Sequence, residues 1–223
     1  MLSEVIIGSI PMLVALLLSI LKYKKLEPKV LRFFTWLLLA SFLIQLAGFY
    51  YSKYTHKSNH FIFNIQTLVV YSAYMGIFFS ILQKKWLKRC AIVLLSAFVL
   101  IYFFRILFAG SLFKFDSEAG TIGELATLCC CLLYLSELLT AEERINFFTI
   151  PMFWITTGIM AGVIGDFIYI AFFDFIVANN LDPKGDKYAL LVVILSFIQY
   201  SFFTIAFMPT PLWIKAKLFP PLP

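Results

Sequence analysis

"FIFNIQTLVVYSAYMGIFFSIL", residues 61–82, contains no Asp, Glu, Lys or Arg. At about 1.5 Å per helical residue, a run of this length crosses the roughly 30 Å of a bilayer's hydrocarbon. Its polar members are ordered. Starting from His60, just ahead of the run, Asn64, Thr67, Tyr71 and Tyr74 follow at spacings of four, three, four and three, which is one stripe of an α-helix. An apolar helix with one polar stripe suits a membrane bundle, where ionisable and polar groups face other helices or a water-filled cavity rather than lipid.

Six further apolar runs flank this one, so that seven spans are predicted at about 5–21, 31–51, 61–82, 90–109, 119–140, 147–176 and 188–208. The sixth is long enough to tilt or to project beyond the bilayer. The first has no basic segment ahead of it and is followed by Lys22, Lys24 and Lys25, which reads as a retained span rather than a removed signal peptide. With the N-terminus outside, twelve of the eighteen Lys and Arg residues fall on the cytoplasmic side, so the positive-inside rule places the N-terminus outside and the C-terminus in the cytoplasm. The expected fold is all-α: a polytopic seven-transmembrane-helix bundle forming a single domain over 1–223.

Composition excludes the soluble classes. The 223 residues are 62% hydrophobic and only 13% charged, and the mean hydropathy is +0.93. A soluble fold with so few charges would expose large apolar patches. The net charge of +6 is carried mostly by short loops, where orientation and lipid headgroups account for it, so nucleic acid is not an expected partner. Cys90 and the run Cys129 to Cys131 lie within apolar stretches and read as small helix residues rather than a disulfide framework. The tail "PTPLWIKAKLFPPLP", 209–223, reads as an interfacial end or a partner-docking segment.

The stripe of the third span has counterparts. The fifth span aligns Gly120, Glu124, Thr127, Cys131 and Tyr134, the sixth carries Asp166 and Tyr169, and the second carries Ser41, Gln45 and Gly48. With the orientation above, Gln45, His60, Asn64, Arg105, Glu124, Asp166 and Tyr169 share the outer half of the bilayer, the pattern of a pocket that opens outward. Buried carboxylates need partners there, and Arg105 and His60 are the candidate cations. A purely structural role, tying helices together or reaching headgroups, stays open beside the pocket. Glu137 and Asp174 are read as interfacial. In "TTGIMAGVIGDF", Gly158 and Gly162 at i and i+4, with Ala161 and Gly165 at the same spacing, permit close helix approach.

Other chemistries fit less well. His56 and His60 have a metal-holding i, i+4 spacing, with Asp116 and Glu118 as further donors, but Lys57, Ser58 and Asn59 favour a loop at residue 56, with Ser58 or Asn59 capping the third span instead. No third histidine exists for a three-histidine zinc site. A retinal Schiff base needs a lysine mid-way along the seventh span, whose centre "ILSFIQYSFF" holds Gln199 instead. No metal or other cofactor is expected. "FNIQTLVVYSAYMGIFF" and "PMFWITTGIMAGVIGDF", about a quarter of the chain, resemble segments of uncharacterised bacterial seven-helix membrane proteins and of the sensing modules that accompany histidine kinases. That resemblance implies sensing at a bacterial inner (cytoplasmic) membrane. The expected function is a sensor or receptor-like protein that binds a small ligand from outside and signals to a cytoplasmic partner. A small-solute transporter and an intramembrane lipid-modifying enzyme are the alternatives, with an enzyme the less favoured.

Overall fold

A computed structural model describes residues 2–26, 29–109, 111–140, 146–183 and 185–208; the side chains of 2–6, 109 and 111 fall outside the description, as does the proline-rich tail. Among the described residues the chain is helical, with no strand. The helices are α1 (Leu2–Leu21), α2 (Val30–Thr55), α3 (His60–Ile81), α4 (Lys85–Phe104), α5 (Ser117–Leu139), α6 (Pro151–Ala171), α7 (Phe173–Ala178) and α8 (Asp186–Phe207).

Local chemistry sets several of these boundaries. α2 stops where His56 takes a left-handed conformation, φ 54°, and its N–H caps the Ser52 carbonyl. Asn59 then donates from its side chain to the Gly48 carbonyl at 3.1 Å, tying the turn back onto α2 before α3 begins. The Asp116 carboxylate accepts from the Ala119 N–H at 3.0 Å and so caps α5. Pro151 opens α6, where its missing N–H costs nothing. Pro11, by contrast, lies inside α1, and the Ile7 carbonyl loses its intrahelical partner. α4 runs into a π-helical turn, Arg105–Ala109.

The long sixth run, expected over 147–176, is not one helix. It breaks at Phe172, and α7 continues as a separate short segment. Among the described residues six helices are long and apolar enough to cross a membrane: α2, α3, α4 with its π turn, α5, α6 and α8. In α1 the described side chains form an apolar stretch over Ile7–Leu21.

Packing joins the helices in a ring. α1 packs on α2, α2 on α3, α3 on α5, α5 on α6, α6 on α8, and α8 back on α1; α4 lies against α3 and α5. Phe34, Met75, Phe78, Ile155, Ile159, Phe203 and Phe207 fill the ring, each at most 2% exposed. The outward positions are apolar as well: Leu17, Trp36, Val93, Leu100, Ile168 and Leu190 are all more than half exposed. Water would penalise such a surface on every helix, whereas hydrocarbon does not.

The closest seam lies between α6 and α8. A Cβ on Gly158, Gly162 or Gly165 would come within 2.8, 2.5 and 2.2 Å of Phe203, the Gln199 side chain and Leu195, respectively. The glycines expected to allow close approach are thus set against α8, with the Gln199 amide lying over Gly162. The four cysteines are free.

Candidate functional site

Among the described residues Glu124 is the most deeply buried carboxylate, 1% exposed on the inward face of α5. One carboxylate oxygen, Oε1, accepts from the Tyr71 hydroxyl at 3.2 Å, and Oε2 has no hydrogen-bond partner. Tyr71 reaches it because side chains lean toward the helix N-terminus, here up α3. It also needs Gly123: a Cβ there would sit 2.4 Å from Cδ2 of Tyr71 and 2.9 Å from Cε2 of Phe98. Thr127, one turn along α5, is fully buried, and its hydroxyl oxygen has no partner.

Asp166 approaches from α6. Its Oδ1 is buried without a hydrogen bond, and its carboxylate interacts with the Tyr188 hydroxyl in the first turn of α8. Glu124 and Asp166 are near enough to act on each other electrostatically, and Tyr71 lies within the field of both and of Tyr188. Four helices therefore converge on one acidic and phenolic cluster. Tyr169 supports it from α6: its ring stacks on Tyr188 at 4.5 Å, and its hydroxyl donates to Oδ2 of Asp182 at 2.8 Å. Asp182 in turn accepts from the backbone N–H groups of Lys187 and Tyr188 at 3.2 and 3.0 Å, which fixes the start of α8 and with it Tyr188. Desolvation pushes the Asp182 carboxyl up, but the Tyr188 N–H, the Tyr169 hydroxyl and Lys187 outweigh it and hold the group below the usual carboxylate range.

Arg105 does not neutralise this cluster, contrary to expectation. Its Nε donates to both carboxylate oxygens of Asp116 at 2.8 and 2.9 Å, and its Nη1 donates to Glu118. The physical reason is local: the π turn ends α4 at Arg105, and the chain returns at once to the acidic start of α5. Asn64 belongs to the same clasp. Its side-chain amide donates to the carbonyls of Leu112 and Lys114 at 2.9 and 2.7 Å, while Tyr102 bonds its backbone carbonyl. His60 is not the partner cation either; its ring lies 6.2 Å from that of Phe115. Gln45 is half-buried on α2, and no described hydrogen bond places it with the carboxylates.

Of the seven residues predicted to share a pocket, the structure thus gathers Glu124, Asp166 and Tyr169, and gives Asn64 and Arg105 to a loop clasp. Tyr71 belonged to the predicted stripe but not to the predicted site, and Tyr188 stood at a span boundary, where nothing in its spacing pointed inward. Asp116 and Glu118 hold Arg105 instead of joining the histidines, and His56 and His60 end two different helices. Among the described residues no group of three His, Cys, Asp or Glu side chains could hold a metal ion.

At the opposite end of the bundle, Glu137 ties α5 to the turn between α3 and α4. Glu137 accepts the backbone N–H groups of Gln83 and Lys84, with distances of 2.6 to 3.1 Å, and Nζ of Lys84 donates to Thr140 at 2.8 Å. Asp174, the other residue read as interfacial, lies instead at the end where α5 begins and accepts weakly from Ser117 at 3.5 Å. Midway, Gln199 donates to the Tyr74 hydroxyl at 3.4 Å. A groove of about 370 Å³ between α1 and α8, lined by Ile10, Pro11, Val14, Phe197 and Ser201 among others, lies on the lipid-facing surface. It contains no ionisable group, so the acidic cluster is the better candidate site.

Fold and surface define an integral membrane protein, a bundle of apolar helices in contact with lipid. Comparison with family models, with curated proteins and with solved structures returns no match.

Proposed function

We propose that this protein is a receptor-like membrane sensor that takes a small ligand into the cluster formed by Glu124, Asp166, Tyr71 and Tyr188. In this reading α1 counts as a seventh span, the N-terminus lies outside, and the cluster sits in the outer half of a bacterial inner membrane. The observation that carries the reading is a buried carboxylate, Glu124, and a half-buried one, Asp166, on adjacent helices, each with a buried oxygen lacking a hydrogen bond. Burying unpaired acceptors in hydrocarbon costs several kcal/mol, and functional sites are where such a cost is tolerated.

A ligand bound between α5, α6 and α8 would shift α6 against α8, because both carry site residues and share the tightest seam. Ligand can move that equilibrium only by its differential affinity for the two arrangements. The inner half supports a signal rather than a passage: Phe34, Phe78, Phe203 and Phe207 close it with at most 2% exposure each. The resemblance of two segments to sensing modules agrees with this, and a cytoplasmic signalling protein would read the inner ends of the helices. A small-solute transporter is the second reading, favoured by the Gln199–Tyr74 pair beneath the cluster. Solute flux into proteoliposomes decides: a sensor gives none, and saturable flux abolished by Asp166→Asn would establish the transporter.

A further inference from the structure

The polar atoms left over in the cluster have one chemistry. Oε2 of Glu124, Oδ1 of Asp166 and Oγ1 of Thr127 are buried and without partners, and Glu124 and Thr127 are at most 1% exposed. When ionised, these carboxylates accept hydrogen bonds only, and the donors facing them are the hydroxyls of Tyr71 and Tyr188. The nearest expected cation, Arg105, is held by Asp116 and Glu118. An anionic ligand would meet like charge, and a neutral one would leave the two carboxyl groups to repel each other or to hold a proton between them. An ammonium group brings a positive charge and N–H donors with no acceptor, which is what the cluster lacks. Tyrosine rings add an environment that suits cations.

We infer that the ligand is a small organic cation, a protonated amine whose nitrogen is held by Glu124 and Asp166 with Tyr71 and Tyr188 beside it. This rests on the receptor reading for its signalling consequence but not for the binding itself. The test uses the full chain in lipid nanodiscs, with methylammonium as the probe and sodium, potassium, methanol and acetate at matched ionic strength as comparisons. Thermal unfolding reads binding, because a ligand of the native state raises the melting temperature in a saturable way. Hydrogen exchange at 146–150 and 205–208 reads the inner ends of α6 and α8.

The expected result is a saturable rise with methylammonium alone, an apparent affinity at least roughly tenfold weaker in Glu124→Gln and in Asp166→Asn, and altered exchange at the inner ends. Equal shifts with every salt, a shift specific to sodium or potassium, or full affinity in both variants would overturn the inference. The comparison among probes on the native sequence stands even if a variant does not fold. Amine binding with unchanged inner exchange would support the cation site and defeat the receptor reading. A response to acetate or methanol that needs Glu124 would do the reverse.

Discussion

At the scale of single residues, Arg105 and Glu124 hold different positions: one in the loop clasp, one in the cluster. Arg105 makes a two-oxygen contact with a buried carboxylate and a further one with Glu118, so Arg105→Met should destabilise the protein by about 3–5 kcal/mol, the usual cost of breaking a buried ion pair by removing one partner. Denaturation in nanodiscs measures this, and ligand binding should survive, since Arg105 is outside the cluster. Gly123→Ala acts the other way. Its new methyl collides with the Tyr71 ring, and binding should fall more than tenfold for a loss of about 1–3 kcal/mol in stability. The inward placement of Glu124 and Asp166 could be read from helical spacing and span direction. The partner of Arg105 could not, because it depends on where a π turn delivers the chain. Tyr188 was hidden for a similar reason: it starts a helix whose position is set by Asp182.

At the scale of elements, the α6–α8 seam is the testable object. Gly162→Ala and Gly165→Val should each cost about 1–3 kcal/mol by overpacking against Gln199 and Leu195. Gly76→Ala is the control: nothing lies within 4 Å of its added carbon, and it should gain about 0.5–1 kcal/mol from helix propensity. Spacing alone showed that these glycines could admit a neighbour, but not which helix it was. The break at Phe172 escaped the sequence because apolarity continues across it and marks no boundary. The loop that follows should respond to acid. Asp182 has its carboxyl lowered in the fold, so its contribution is complete above about pH 4, the unfolded value, and is lost as pH falls through the folded one. Pepsin cleavage within 179–185 should rise over that window in the native protein, and Asp182→Asn should be cleaved readily throughout.

For the whole molecule, composition announces a membrane bundle, and the apolar exterior of every long helix accounts for it. The proposed orientation makes a simple demand: an impermeant amine reagent applied from outside should label Lys57 and Lys114 before Lys84 and Lys85. The central claim is that the carboxylate pair is maintained for a ligand at the expense of stability. The most direct measurement is a double-mutant cycle on Glu124→Gln and Asp166→Asn, made by unfolding the protein in lipid nanodiscs without ligand. If the pair is a site held ready, each variant keeps or raises the native melting temperature and the two effects are non-additive, since removing one carboxyl already relieves the other. If instead each variant loses more than about 2 kcal/mol, the carboxylates are structural ties between helices, and the account of the protein as a receptor is contradicted.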